Sequence, residues 1–151
     1  MRALLAAAGL AGCVSTAASE GPLSPGLWEI SNRPGTASLD GRVLNELPLP
    51  PQKPERICLS AAQAADPAGF LAGTSGVECK TSKAALVGGK VRIEASCANP
   101  DGGRDGTMVL TGRYGGQSYA IDFATTAYGD NGTMGFSGKL IGRRIGDCPA
   151  A

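Results

Sequence analysis

The side chains with the most distinctive chemistry are the five cysteines of a 151-residue chain that contains no histidine. Four of them, Cys58, Cys79, Cys97 and Cys148, lie in the body of the chain. In an exported protein an even number of cysteines indicates disulfides, and four cysteines allow three pairings. The alternative is a four-thiolate zinc site, which needs closely spaced pairs, and the sequence contains no C-x-x-C. We therefore expect two disulfides and no metal, and the same spacing disfavours a redox dithiol.

The fifth cysteine, Cys13, ends the sequence Leu-Ala-Gly-Cys behind a short apolar run, a pattern that resembles a bacterial lipoprotein signal. The apolar run is far below the roughly 20 residues that span a bilayer, so it indicates processing and not an anchor helix. We expect residues 1–12 to be a signal peptide and residues 13–25 a tether that attaches the domain to a lipid on Cys13. Two alternatives stay open: secretion with cleavage near Ala17 or Ala18, and coincidence in an alanine-rich N-terminus.

The charge of the mature chain limits its partners. Removal of residues 1–12 takes away Arg2 and leaves 14 − 1 = 13 basic against 13 acidic side chains. Nucleic-acid binding needs a clustered basic surface, so we expect no nucleic-acid partner. Because Val14 and not an aspartate follows Cys13, we place the protein in the bacterial periplasm, anchored to the outer membrane by its lipid.

Carboxylates are the remaining candidates for catalysis, since a chain without histidine has neither a Ser-His-Asp triad nor a Cys-His pair. Asp101 and Asp105 flank a glycine-rich segment that lacks the alternating oxygen ligands of a calcium loop, so a hairpin turn is the better interpretation. A hydrolase that uses Glu29, Glu94 or Asp122 is the less favoured alternative. We expect no catalytic residue and no cofactor.

Alternation of apolar and polar residues predicts the fold of residues 79–148. Short alternating runs are separated by glycine, asparagine and aspartate clusters at even spacing, which is typical of an antiparallel β-meander. The abundant glycine predicts a strongly curved, half-barrel-like sheet. We expect a mainly β domain over residues 26–148 with one short helical segment, linked by disulfides.

The N-terminal half supplies the expected edge and cover of that sheet. Residues 25–30 form a first strand with Trp28 in the core, whereas prolines in residues 32–54 argue against a central strand there. Ser60 and Gln63 match a helix capping box, and Asp66 can cap a second helical turn that begins with Pro67.

Turn positions predict the strand pairing. A three-residue loop centred on Gly88 places Cys79 opposite Cys97, which leaves Cys58 to pair with Cys148. A turn at residues 115–116 pairs neighbouring strands so that Leu110 lies opposite Ile121 and Met108 opposite Phe123.

One face of the predicted meander carries most of its large apolar residues. The set is Leu110, Ile121, Phe123, Met134 and Phe136. Few large residues are available to cover this concave face, so we expect part of it to stay open and to bind an apolar small molecule or an extended peptide. The alternatives are a face closed by Trp28, Phe70 and Leu71, and a structural role in contact with another envelope protein.

Several of these motifs together resemble the proteobacterial family called domain of unknown function 3617. They are the Pro-Gly-Leu-Trp-Glu-Ile opening at residues 25–30, Cys58 before a short helix, Cys79 followed by lysine, Cys97, and the ending Gly-Asp-Cys at residues 146–148. The resemblance covers nearly the whole mature chain. It implies an exported, mostly β, disulfide-bonded domain, and it implies no catalytic residue.

Lipidation of Cys13 is directly testable. We expect the protein to incorporate radiolabelled palmitate and to fractionate with membranes, and Cys13→Ser to abolish both, because only the thiol carries the lipid. A Cys13→Ser protein that stays bound to membranes, or a native protein that takes up no palmitate, contradicts the expectation.

Overall fold

The strands and helices come from a computed structural model that describes residues 22–44, 52–74, 78–99 and 101–150. The expected signal peptide, Cys13 and most of the tether lie outside the described residues. The strands are β1 (Gly26–Leu39), β2 (Arg42–Leu44), β3 (Glu55–Leu59), β4 (Cys79–Val87), β5 (Lys90–Cys97), β6 (Gly106–Gly115), β7 (Ser118–Gly129) and β8 (Gly132–Gly146). The helices are α1 (Ala61–Ala65) and α2 (Pro67–Gly73), and neither is long enough to span a membrane.

These strands form one antiparallel sheet of order β2-β1-β8-β7-β6-β5-β4. Strands β2 and β3 both pair with the edge of β1 that faces away from β8, β3 at the start of β1 and β2 at its end. Strands β4 to β8 follow one another as a meander, and β1 returns beside β8. The sheet is not closed into a barrel. The prediction of a mainly β, half-barrel-like meander with a short helical segment is confirmed.

Strand β1 corrects the prediction for residues 32–54, because it continues through Pro34 as far as Leu39. Proline is tolerated there because β3 pairs with β1 only up to Ile30 and β2 only from Ala37. Pro34 therefore lies where β8 is the sole neighbour, next to a register shift between Pro34 and Ala37. Both features are the usual settings of proline in sheets, a free edge and an irregularity in the ladder.

Two predicted turns differ from the structure: the β4–β5 loop is one residue shorter than predicted, and the β6–β7 turn lies one residue later. Val87 pairs with Lys90, so the loop holds only Gly88 and Gly89, and an irregularity between Thr81 and Lys83 restores the pairing of Cys79 with Cys97. The two glycines have φ values of 57° and 69°, as a two-residue hairpin turn with both positions left-handed requires.

The pairing of β6 with β7 was also predicted in the wrong register. The turn lies at residues 116–117, so Leu110 faces Phe123 and Met108 faces Thr125. The error is a shift of two residues. Because side chains alternate with a period of two, every residue keeps its predicted face.

Both helices begin as the sequence predicts. The Ser60 hydroxyl accepts a hydrogen bond from the backbone N–H of Gln63 at 3.2 Å, and the Gln63 side-chain oxygen accepts one from the backbone N–H of Ser60 at 3.0 Å. The Asp66 carboxylate accepts the Gly69 N–H at 3.0 Å, and Pro67 begins α2. These caps satisfy amide groups that would otherwise have no partner in such short helices.

We call the side of the sheet that carries the helices the inner face. Trp28, Ile30, Ile93, Leu110, Ile121 and Leu140 are buried there against Leu59, Leu71 and Ala72 from the helical segment and its flank. Trp28 has no exposed surface, as expected for a core residue.

Two disulfides flank the helical segment. The structure joins Cys58 to Cys148, with Cα atoms 5.5 Å apart, and Cys79 to Cys97, with Cα atoms 4.0 Å apart. Cys58 precedes α1 and Cys79 begins the strand after α2. Both ends of the helical segment are therefore covalently attached to the sheet or to the chain that follows β8.

Removal of either disulfide should lower stability according to the length of the loop it closes. The sequence separations are 90 residues for Cys58–Cys148 and 18 for Cys79–Cys97. On the chain-entropy model the paired serine variants lose about 4.5 and about 3 kcal/mol of unfolding free energy, respectively. Urea unfolding measures the two losses. Non-reducing peptide mapping that joins Cys58 to Cys79 or Cys97 would refute the pairing.

Candidate functional site

The five residues predicted to line a binding face do lie on the same face, but the helices divide them into two groups. Leu110 and Ile121 are fully buried in the core. Phe123 is partly buried against the core. Met134 and Phe136 are 42% and 38% exposed, respectively, at the uncovered end of the inner face. The predicted binding face is therefore covered in one half and open in the other.

In the covered half, three aromatic rings pack against one another between the sheet and α2. Trp28 stacks on Tyr119 with ring centroids 5.8 Å apart, and Phe70 of α2 contacts Tyr119 edge-on at 6.5 Å. A Cβ atom at position 142 would overlap the Tyr119 ring, so glycine is required there for Tyr119 to lie across β8. The helical segment thus rests on a flat aromatic layer.

The hydroxyl of Tyr119 is one of two unusual polar groups among the described residues, the other being the buried, unpaired Asn32 Oδ1. It is buried and has no hydrogen-bond partner among the described residues. Burial disfavours the charged phenolate and raises the pKa of Tyr119 far above its usual range. The group therefore stays neutral and takes no part in acid–base chemistry near neutral pH.

The open half forms a depression of about 570 Å³, which we call the distal cleft. Its apolar lining is Leu39, Cys97, Ala98, Ala127, Met134 and Phe136. Its polar lining includes Asn99, Asp101, Arg104, Thr125, Tyr128 and Asp130.

Strand pairing brings the apolar lining together. Leu39 pairs with Met134 across β1 and β8, and Met134 pairs with Ala127 across β8 and β7. The Asp40–Gly41 turn fixes the end of β1, because the Asp40 carboxylate accepts the Thr133 N–H at 2.8 Å. Leu39 is 37% exposed, so three large apolar side chains that line the cleft, Leu39, Met134 and Phe136, face solvent.

The polar lining of the cleft contains a contact between two side chains that was not predicted from the sequence. The Arg104 guanidinium carbon lies 4.1 Å from the centroid of the Tyr128 ring, a cation–π contact. Asn99 links the β5–β6 loop to the end of β7, since its amide donates to the Tyr128 carbonyl at 3.0 Å. The sequence signal available for this contact was only a turn between Asn99 and Asp105, because the Arg104–Tyr128 contact is not local.

A larger depression of about 730 Å³ lies beside the β4–β5 turn, where Val87, Lys90 and Arg113 are among its lining residues. It is more open to solvent than the distal cleft, and Val87 is the one large, exposed apolar side chain among the described residues of its lining. The distal cleft combines greater enclosure with three such side chains. We therefore take it as the candidate site.

The three carboxylates considered for catalysis lie on the outer face and are not brought together. Glu29 lies 3.6 Å from Arg56 and 3.8 Å from Arg143, and Asp122 lies 2.9 Å from Lys139. Glu94 lies 3.0 Å from Arg92. These are ion pairs on the surface of the sheet. In the part of the chain that the structure describes, no group of three Cys, Asp or Glu side chains could hold a metal ion.

Comparison with known proteins identifies a family and no closer relative. Residues 23–148 match the model of a family described as a protein of unknown function, DUF3617. Neither a curated protein nor a solved structure matches the chain.

Replacement of Tyr119 by phenylalanine tests whether the buried hydroxyl lacks a hydrogen-bond partner. The variant removes a buried hydroxyl without a partner, so at pH 7 we expect unfolding free energy to be unchanged or raised by up to about 1 kcal/mol. In the native protein the raised pKa adds a loss of stability as pH rises above about 10, where the unfolded chain ionises first.

This alkaline loss should be smaller in Tyr119→Phe than in the native protein when both are unfolded in urea between pH 8 and pH 11. Tyr114→Phe, a partly buried tyrosine opposite Tyr119 on β6, is the control for loss of a hydroxyl. Destabilisation of Tyr119→Phe by more than about 1 kcal/mol at pH 7 would mean that the hydroxyl has a partner.

Proposed function

Since the chain belongs to the family of domain of unknown function 3617, whose description assigns no activity, we propose a function from the distal cleft: a non-catalytic module that binds an apolar small molecule in the bacterial envelope. The observation that supports it most is the partial cover of the inner face. Leu39, Met134 and Phe136 are each more than a third exposed, although Leu110, Ile121 and Leu140 of the same face are buried. Clustered exposure of this kind is typical of a contact site.

The size and lining of the cleft support a small ligand. Ligand sites commonly enclose about 300–1,000 Å³ and combine apolar walls with a few polar groups. The distal cleft has a volume of about 570 Å³, with apolar side chains from β1, β7 and β8 and polar groups from the β5–β6 loop. Both properties agree with a molecule that is mainly apolar.

An extended peptide is the second ligand class considered, and the sheet edges argue against it. A peptide added as a strand needs a free, regular edge. The β4 edge carries Lys80 and Lys83 with an irregularity between Thr81 and Lys83, and the free part of β1 contains Pro34. Lysine, irregular pairing and proline are common features that discourage strand addition.

Catalysis by carboxylates receives no support from the positions of Glu29, Glu94 and Asp122. All three alternate with buried inner-face residues of their strands, and each is close to a basic side chain. None lines the distal cleft. We therefore favour a binding module over a hydrolase.

The proposed location follows from the N-terminal sequence. A signal peptide over residues 1–12 and a lipid on Cys13 would place the domain in the periplasm at the outer membrane. The expected tether of residues 13–25 is too long at its C-terminal end, because Leu23 is buried in the core and the Ser24 N–H donates to the Gly116 carbonyl at 3.0 Å. A tether that ends before Leu23 would leave the sheet free to meet ligands there. A structural role in contact with another envelope protein is the alternative if the cleft binds nothing.

The test is a fluorescence titration of the mature chain carrying Cys13→Ser with N-phenyl-1-naphthylamine, a neutral apolar dye. We expect saturable binding well below the urea concentration that unfolds the protein. Phe136→Ser and Met134→Ser should each weaken binding by about tenfold or more, because each removes apolar contact with the dye.

Val87→Ser is the matched control, since Val87 is 76% exposed at the far end of the β4–β5 hairpin. It should leave dye affinity unchanged. Absence of binding to the folded protein, or an equal loss in Val87→Ser, would end the proposal and favour a structural role.

A further inference from the structure

We propose that the ligand of the distal cleft is an anionic amphiphile, a single carboxylate on an apolar chain, and that Arg104 binds the carboxylate. The inference rests on the proposed binding function and adds the chemical class of the ligand. It follows from the state of the Arg104 side chain and from the other charges of the cleft.

Arg104 contacts an aromatic ring and has no anionic partner among the described residues. Its guanidinium lies over the Tyr128 ring, with 4.1 Å between the guanidinium carbon and the ring centroid. Among the described residues no carboxylate lies within ion-pair distance of it, although the neighbouring Asp105 accepts a hydrogen bond from the Ser96 hydroxyl at 3.2 Å. The cation–π contact uses none of the guanidinium N–H groups in a hydrogen bond, so its five donors stay available to a ligand.

The backbone that carries Arg104 is held before a ligand binds. The Asn99 amide donates to the Tyr128 carbonyl at 3.0 Å and contacts the Arg104 carbonyl at 3.4 Å. The Asn99 side-chain oxygen accepts the Asp101 N–H at 3.0 Å. This network fixes both ends of the Arg104–Tyr128 contact, and a preorganised donor loses less entropy on binding.

The charged side chains that line the cleft, one guanidinium and two carboxylates, oppose a dianion more strongly than a monoanion. Asp101 and Asp130 also line the cleft, so a dianionic phosphate would meet two carboxylates for one guanidinium. A carboxylate carries one charge and matches the two parallel N–H groups of the guanidinium. The apolar chain of the ligand would then cover Leu39, Met134 and Phe136.

The experiment compares three ligands with the same twelve-carbon chain: dodecanoate, dodecanol and dodecylamine. Each displaces N-phenyl-1-naphthylamine from the mature chain carrying Cys13→Ser, at pH 8, low salt and concentrations below micelle formation. We expect dodecanoate to bind at least about tenfold more tightly than dodecanol, because a charged hydrogen-bond pair is added.

The variants test whether Arg104 causes that preference. Arg104→Gln should bring the ratio of dodecanoate to dodecanol affinity close to one. Arg104→Lys should restore part of the ratio, because the charge returns without the paired donors. Arg113→Gln removes another exposed arginine, on β6 beside the β4–β5 turn, and should leave the ratio unchanged.

The outcomes separate this inference from the proposed function. Equal binding of dodecanoate and dodecanol overturns the inference and leaves the binding module intact, whereas failure of the dye itself to bind ends both. Preferential binding of dodecylamine, lost in Asp101→Asn or Asp130→Asn, would show that the cleft selects cations. A dodecanoate preference that survives in Arg104→Gln would also overturn the assignment.

Discussion

The helical segment is too short to cover the sheet that it rests on, and much of the structure follows from this mismatch. Strands β1 and β8 have 14 and 15 residues, whereas α1 and α2 have 5 and 7. At about 3.3 Å per strand residue and 1.5 Å per helical residue, the strands are more than twice as long as both helices together. One end of the inner face therefore remains uncovered.

The disulfides make that partial cover permanent. Cys58 attaches the start of the helical segment to Cys148 beyond β8, and Cys79 attaches its end to β5. A segment fixed at both ends cannot slide along the sheet to protect Met134 and Phe136. The same bonds restrict the unfolded chain, which compensates for a core that contains few large aromatic residues.

The sequence predicts those features that depend on local rules. Alternation assigns each residue to its face even where the turn at residues 116–117 is misplaced, because an error of two residues preserves the face. The capping residues Ser60, Gln63 and Asp66 predict both helix starts, since each hydrogen bond joins residues three positions apart. The family resemblance is confirmed by the match over residues 23–148.

The features that the sequence did not predict depend on contacts between distant residues. Alternation puts Leu110 and Met134 on one face, but only the position of α2 makes one fully buried and the other 42% exposed. Pro34 is compatible with β1 only because β2 and β3 both stop short of it. Arg104 and Tyr128 belong to different loops and strands, so neither residue indicates the contact by its local sequence.

Under the proposed function, the divided inner face also separates stability from binding. The residues that remove most apolar surface from water, such as Trp28, Leu110 and Ile121, lie in the covered half. Substitutions there would mainly destabilise the fold and would not act on ligand binding directly. Leu39, Met134 and Phe136 bury less surface and contribute less to folding, so their identity can vary with the ligand at little cost in stability. Under that function, the ligand specificity of the cleft could change while the disulfide-linked, covered half keeps the fold unchanged.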